Sequence, residues 1–486
     1  MPPSRTLDAA VVGSGPNGLA AAVLLARSGL SVAVYEAAAE PGGGARSARL
    51  FDTDVVHDVC SAVHPMAAAS PFFRQFDLPA HGVQLCRPEV AYGHPIDERR
   101  AAIAYADLER TCAGLGVDGA RWRRFMEPLI ARTDEVTETL LGDFRHSPRP
   151  RIAALLASRV LGTGAFRGTE ARALLSGVAA HALGRLPSLV GNGIAVLLGH
   201  LAHTNGWPIP RGGTEKITDA LVADLRAHGG CVHTDARVTD LSELAHARVV
   251  LLDLAPRGFL DVAASSLPDG YRRALRRVQY GPAAAKVDFL VTEPIPWRNT
   301  ELAQAGTVHL GGPREAVYAA ERAVAAGKRA KEPYVLLAQP MVADPSRGLP
   351  NKQPIWAYAH VPHGDSLDAT AVIRRRIEQY APGFGDTVLA SRAVSATELE
   401  TYNANYVGGD IAAAAVTMWQ ALARPVLRWD AHRTPLRGVY LCSAATAPGP
   451  GVHGMSGLYA AKAVLRREFG LDLPDDYRFG RTSPVS

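Results

Sequence analysis

Three groups of residues in this 486-residue chain have the types and spacing that nucleotide and hydride chemistry require. The first is Gly13-Ser-Gly15-Pro16-Asn17-Gly18, with Glu36 eighteen residues beyond Gly18. Gly13 permits a tight turn, Gly15 lets the backbone approach a pyrophosphate and Gly18 lets a helix close on a sheet. Pro16, with Asn17 after it, suits a first helical turn, where a missing N–H costs nothing. A carboxylate at Glu36 accepts hydrogen bonds from ribose hydroxyls and would repel a 2′-phosphate. The second group is Gly42-Gly43-Gly44-Ala45-Arg46. Its successive N–H groups can form an anion-binding concavity, and Arg46 can neutralise phosphate charge. The third is Pro448-Gly-Pro-Gly451-Val452-His453-Gly454-Met455. Backbone amides there, at the start of a helix, can stabilise the negative charge that a reduced flavin carries along its N1 and O2 edge.

These groups act together only if the right elements carry them. Asp8–Val12 reads as a buried strand running through the glycine turn into a helix, and Leu30–Tyr35 reads as a second strand ending at Glu36. A second G-x-G-x-x-G, Gly114 to Gly119, follows a helical stretch and precedes no strand, so it reads as a turn between helices. In the middle of the chain, Ile217–Leu225 reads as a helix, followed by a turn and strands over 229–234 and 236–239, with Val238 placed to touch an adenine. Ala247–Asp253 is a further buried strand able to return to the same sheet. Gly438–Ser443 reads as a strand ending in the small residues Cys442 and Ser443, with a helix from about Leu458 to Phe469 beyond it.

Composition narrows the class. The chain is 47% apolar and 20% charged, an ordinary globular balance, and its length favours two domains. Five scattered cysteines with no C-x-x-C argue against disulfides or zinc and for a reducing, cytoplasmic setting. Sixteen histidines include no metal-binding spacing, so no metal is expected. The first strand begins soon after Met1, so a secretory signal is not expected, and no apolar run is long enough to span a bilayer. The net charge of +5 is weak evidence for nucleic acid, and the cluster Arg272, Arg273, Arg276 and Arg277 reads as a solvated helix face. Arg149, Arg151, Arg159 and Arg167 surround an apolar helical segment; such a helix can lie on a membrane, although a plain surface helix is the favoured reading.

The three groups, in this order, resemble the FAD-dependent amine oxidase and phytoene dehydrogenase superfamily. Within it the chain is most similar to the phytoene dehydrogenase-like branch that includes pyridine nucleotide-disulphide oxidoreductase domain-containing protein 2. The stretches that carry the likeness are His57-Asp58 with His64-Pro65, Tyr280-Gly-Pro with Lys286-Val-Asp, Gly306 to Gly312, Trp356 to Pro362, Asn403-Ala-Asn405 with Gly408-Gly-Asp410, and Gly451 to Met455. Pro450 stands where that branch has glycine, and it removes an N–H donor. The resemblance implies an α/β fold: a Rossmann-type, glutathione-reductase-like FAD domain interleaved with an α+β substrate domain. Segments 1–75, 207–292 and 430–470 are expected to form the FAD domain, 76–206 and 293–429 the substrate domain, and 471–486 a frayed polar tail.

By the same resemblance, Lys286 is the catalytic candidate: amine oxidases carry a similar lysine on a strand before an aromatic turn, its ammonium reaching flavin N5 through water. His57, His64 and His453 read as structural histidines before catalytic ones, and Asn403, Asn405 and Asp410 as turn caps. The expected activity is FAD-dependent oxidation or desaturation of a small apolar substrate by hydride transfer to N5, with oxygen or a quinone as electron acceptor. The alternatives are a carotenoid desaturase or isomerase, and a flavin-binding regulatory protein with little turnover.

Overall fold

The computed structural model describes residues 7–142 and 149–477. Five parallel strands build the first sheet, in the order Val439–Leu441, Ala247–Leu252, Leu7–Val12, Val32–Tyr35 and Cys231–His233. They come from the N-terminal, middle and C-terminal parts of the chain, so this sheet is assembled from three separate segments. A parallel sheet must be covered on both faces. Ala9 and Val11 accordingly pack with the helices Pro16–Arg27, Glu215–Ala227 and Met455–Val464, while Ala10 and Val12 pack on the opposite face with Phe259 and Leu275.

The second sheet has seven strands, in the order Val388–Val394, Ala283–Val291, Gln353–Val361, Val335–Ala338, Ala305–Leu310, Val90–Pro95 and Ala101–Tyr105. All neighbours are antiparallel except Ala305–Leu310 with Val90–Pro95. Residues alternate between the faces of a strand. Ala283, Ala285, Val287, Phe289 and Val291 therefore pack outward on Ile373, Ile377 and Phe384, leaving Ala284, Lys286 and Asp288 on the inner face.

Some expected boundaries move. Ala283–Val291, expected within the middle nucleotide segment, is a central strand of the second sheet because its partners are Gln353–Val361 and Val388–Val394. Residues 236–239 form no strand, and the C-terminal helix begins at Met455, three residues before the expected Leu458. The second glycine pattern is a short turn, Gly116–Asp118, between helices Leu108–Gly114 and Gly119–Ile130. The tail is anchored as far as Tyr477, which is buried and stacks on Phe72 with centroids 5.7 Å apart; residues 478–486 lie outside the described residues. The basic helix is Pro150–Gly162, and Ile152 and Leu156, the middle of its apolar side, are already packed in the core.

Candidate active site

The glycine turn is built by close contact. Gly13 has φ +97°, and a Cβ on Gly18 would lie 2.3 Å from the Gly13 carbonyl, so helix and strand approach as only glycine allows. Gly15 is the N-cap of Pro16–Arg27 and offers no side chain to the helix end. A carboxyl from another strand takes over that role: the Gly18 N–H donates to Asp253 Oδ2 at 3.1 Å. Burial pushes Asp253 up to about 7, the Glu36 charge adding to that rise and the Gly18 and Gly15 N–H groups opposing it. The sequence pattern placed Asp253 only as the last residue of a buried strand, with no role of its own; the strand ends at Leu252 and Asp253 is the first residue beyond it. Asn17 is buried, and its carbonyl faces Gly457 so closely that a Cβ there would lie 2.1 Å away.

Glu36 is buried beside the turn. Its Oε2 accepts from the Ser14 N–H at 3.0 Å and the Ser14 hydroxyl at 2.5 Å, and its Oε1 from the Ala38 N–H at 2.9 Å. The expected ribose ligand therefore also holds the glycine turn in shape. The Ala236 N–H donates to the Glu36 carbonyl at 2.8 Å, which sets Val238 close to that end of the sheet, buried with Val12 and Leu252.

The second glycine loop is joined to the first. The Gly42 N–H donates to the Ser14 carbonyl at 3.1 Å, and a Cβ on Gly43 would meet the Gly15 Cα at 3.0 Å. Ala45 is buried. Arg46 is buried too, 3.4 Å from Glu36 and 5.2 Å over the Tyr402 ring, with its Nε unpartnered. A cradle of glycines beside a buried guanidinium with one unused donor fits a dinucleotide phosphate.

The third segment reaches the same end of the sheet. The Cys442 N–H donates to the Leu252 carbonyl at 3.0 Å, which places the buried Ser443 just past the strand end. In the loop beyond, Gly451 and Gly454 have φ of +133° and +68°. His453 is bonded inside this loop: Nδ1 accepts from the Met455 N–H at 3.0 Å, and Nε2 donates to the Gly449 carbonyl at 3.1 Å. Burial holds its ring down to about 4, so it is neutral. The Met455 amide expected to face a flavin is thus already used by His453. That leaves the helix start at Val452, His453 and Gly454 as the part able to face a cofactor.

The softer candidates His64, Asp410, Asn403 and Asn405 are each hydrogen-bonded within the protein. His64 Nε2 pairs with Thr214 Oγ1 at 2.9 Å. Asp410 accepts from the Gly281 and Ala412 N–H groups at 2.7 and 2.8 Å. Asn403 accepts from the Asn405 N–H at 3.1 Å, while Asn405 reaches the Asp253 loop, donating to its carbonyl at 3.0 Å and accepting from the Ala255 N–H at 2.7 Å. His57 differs: it is fully buried, 3.4 Å from Asp288, and neither ring nitrogen is hydrogen-bonded.

Lys286 is buried and ion-paired with Asp288, with its Nζ 5.8 Å from the centre of the Trp356 ring. The two lie two residues apart on one strand and so share a face, a period-two signal that could have identified Asp288. The register lines up one row across the sheet, Tyr92, Thr307, Ala338, Trp356 and Asp288, and a second through His309, Leu336, Tyr358 and Lys286. Several buried polar atoms on this face lack a protein partner: Tyr92 Oη, Thr307 Oγ1, His309 Nδ1, Trp356 Nε1, Asp288 Oδ1 and His360 Nε2. His94 and His309 converge on Gly177, where a Cβ would lie 2.4 and 2.9 Å from their Nδ1 atoms, and His181 meets His309 at 3.0 Å. Burial holds His94 near 4 and His181 near 3, leaving this cluster uncharged at neutral pH. Cys60 and Tyr406 connect the two regions: the Tyr406 hydroxyl stands where a Gly44 Cβ would be, and Cys60 lies within electrostatic reach of Lys286.

Comparison with known proteins agrees with this geometry. Residues 11–77 match the model of the NAD(P)-binding Rossmann-like domain. The mouse pyridine nucleotide-disulfide oxidoreductase domain-containing protein 2 is 24% identical over 94% of this chain and 93% of its own length. Putrescine oxidase bound to putrescine superposes with a TM-score of 0.60 at 16% identity, covering 96% of this chain and 99% of that one. This chain has the amine oxidase fold. An oxidoreductase from Methanosarcina mazei shares it, with a TM-score of 0.58 at 14% identity over 95% of this chain and 100% of that one. Within this fold the Gly13–Gly18 and Gly451–Gly454 turns follow strands of the parallel sheet, the Gly42–Arg46 loop joins the first of them, and Lys286 lies on a strand of the second sheet. Among the described residues no helix is long and apolar enough to cross a membrane, and no group of three or more His, Cys, Asp or Glu side chains could hold a metal ion.

Proposed function

We propose that the chain is a FAD-dependent oxidoreductase that removes hydride from a C–H bond of a small organic substrate. The observation that supports this reading is the meeting of three distant segments at one end of the parallel sheet, which Tyr406 and Cys60 join to the buried Lys286–Asp288 pair. Bound FAD would supply the hydride acceptor at its N5. Glu36 would hold the ribose, the turns at Gly13–Gly18 and Gly42–Arg46 the diphosphate, and the helix start at Val452–Gly454 the flavin edge. Lys286 would hold a proton donor at the reacting face, and Asp288 would keep that ammonium in place.

The inner sheet face also refines the substrate. A wholly apolar molecule, and a polyene above all, would leave Tyr92, Thr307, Trp356 and His360 unpaired, at about 1–3 kcal/mol for each buried group. We therefore favour a molecule with an apolar body and hydrogen-bonding groups, and we set the carotenoid reading aside. The acceptor is oxygen or a quinone. All five cysteines are free, which suits a reducing compartment such as the cytoplasm.

The test is direct. Purified protein is expected to carry, or take up on reconstitution, one FAD per chain, and to bleach when mixed anaerobically with fractions of a metabolite pool. Failure to bind FAD overturns the reading. FAD that no fraction reduces leaves a cofactor-stabilised binding protein as the better description.

A further inference from the structure

Five of the eleven large apolar side chains exposed among the described residues lie within one twelve-residue stretch: Met418, Trp419, Leu422, Leu427 and Trp429 are 49–73% exposed. These side chains are presented on a firmly held backbone. Thr417 caps the helix Met418–Leu422. The Gln420 side chain donates to the carbonyls of Ala415 and Gln279 at 2.8 and 3.0 Å and accepts from the Gln279 N–H at 2.8 Å. The buried Arg424 donates to the carbonyls of Ala412 and Ala414 at 2.6 and 3.2 Å and of Ala444 at 3.0 Å. Met418, Trp419 and Leu422 are thus exposed on a stretch held by internal bonds, an apolar surface feature of the kind that marks an interaction site.

Charge beside the patch indicates which partner. Gln279 is preceded by the helix Asp269–Arg276, whose exposed Arg273 and Arg276 are followed by the exposed Arg277. The Arg428 guanidinium lies 5.7 Å from the centre of the Tyr271 ring of that helix, which fastens the apolar stretch to the basic one. The neighbouring acids face arginines of their own: Asp269 pairs with Arg272, and Asp430 lies 3.5 Å from Arg467. The surface is thus an aromatic and aliphatic centre with a net basic border. Tryptophan, leucine and methionine enter the headgroup boundary of a bilayer, while arginine stays at the level of anionic headgroups. A second copy docked on the same patch would bring like-charged arginine borders together.

We propose that the 418–429 patch, bordered by Arg273, Arg276 and Arg277, docks the protein on an anionic phospholipid surface. The site extends beyond the proposed oxidoreductase activity and does not depend on it. It is a different stretch of the chain from the Pro150–Gly162 helix, whose Ile152 and Leu156 are packed inside.

Flotation of the full chain, reconstituted with FAD, on vesicles of phosphatidylcholine with and without phosphatidylglycerol tests the proposal. The protein is expected to float with the mixed vesicles, to ignore phosphatidylcholine alone, and to be released by high salt. Trp419→Ala with Leu427→Ala, and separately Arg276→Glu with Arg277→Glu, should each weaken binding about tenfold or more. All four positions are exposed, and an unchanged melting temperature would show that the variants fold. Equal binding by wild type and both variants, or no binding to either vesicle, overturns the proposal. So does sedimentation velocity showing a wild-type dimer that the Trp419/Leu427 variant dissociates, which would make the patch a contact between copies.

Discussion

At the scale of single residues, two side chains expected to serve a cofactor also hold the protein together, and this changes how their substitution reads. Glu36 accepts from Ser14 and Ala38 as well as lying at the ribose position. Glu36→Ala should therefore weaken FAD binding by about 1.5–3 kcal/mol, the range for bonds to a charged acceptor. It should also lower the stability of the FAD-free protein, because the glycine turn loses its support. Titration with FAD and a thermal melt of the apoprotein separate the two, and unchanged affinity would remove Glu36 as a ribose ligand. Lys286 is ion-paired with the buried Asp288, so its substitution acts on the fold as well as on the site. Lys286→Met strands a buried carboxylate and should cost about 3–5 kcal/mol. The double change with Asp288→Asn should recover most of that stability and still slow a flavin half-reaction by about 10²- to 10⁴-fold. Stopped-flow rates equal to wild type in the double variant would make Lys286 a structural residue.

At the scale of elements, the cofactor region depends on how closely two helices from opposite ends of the chain approach. Pro16–Arg27 and Met455–Val464 meet where Gly457 faces the Asn17 carbonyl. Gly457→Ala would place a methyl carbon 2.1 Å from that oxygen unless the helices part. The expected outcome is a loss of about 1–3 kcal/mol of stability, the usual cost of overpacking, with weakened FAD binding because both helix starts line the cofactor region. A control at Gly270, on an exposed helix with nothing within 4 Å of its Cβ, should have neither effect. Circular-dichroism melts with and without FAD would decide, and a Gly457 variant with wild-type melting and affinity would show that the packing is looser than described.

At the scale of the whole molecule, the buried polar groups set a pH profile. Burial lowers His64, His94, His200, His203 and His453 to about 4, and His181 to about 3, from an ordinary value of 6.5. In that window the unfolded chain binds more protons than the folded one, so stability is present above about pH 6.5 and is lost as the pH falls towards 4. Each unit per group is worth about 1.4 kcal/mol. Asp253 acts in the opposite sense: raised from 3.8 to about 7, it contributes stability at low pH that is lost as the pH rises through 7. His309 is lowered in the same way, so seven histidines stand against the raised carboxyls of Asp253, Asp410 and Glu215, and apoprotein melts should show steep acid lability below about pH 6. Asp253→Asn should raise the melting temperature more at pH 8 than at pH 5, since it keeps an acceptor for Gly18 without the buried charge. A melting temperature flat between pH 4.5 and 7 would contradict the assignment of neutral buried histidines.

The local elements of the cofactor site were legible in sequence because they depend on neighbouring residues. Gly13, Gly15 and Gly18 after an apolar strand, Glu36 at the end of the next, and Gly438–Ser443 before a glycine loop are short-range patterns of backbone conformation and strand burial; the structure has strands at these places, the second shortened to Val32–Tyr35 and the last to Val439–Leu441. What depended on residues far apart in the chain was decided only by folding. Asp253 caps a helix 235 residues away, His453 takes the Met455 amide, and Ala283–Val291 moved to the second sheet because its pairing partners lie 62 to 108 residues later. The inner face of that sheet, with polar atoms from Tyr92, Thr307, Trp356 and Asp288 in one row, draws one residue from each of four strands. Strand registry, which no single strand encodes, is what places those atoms side by side.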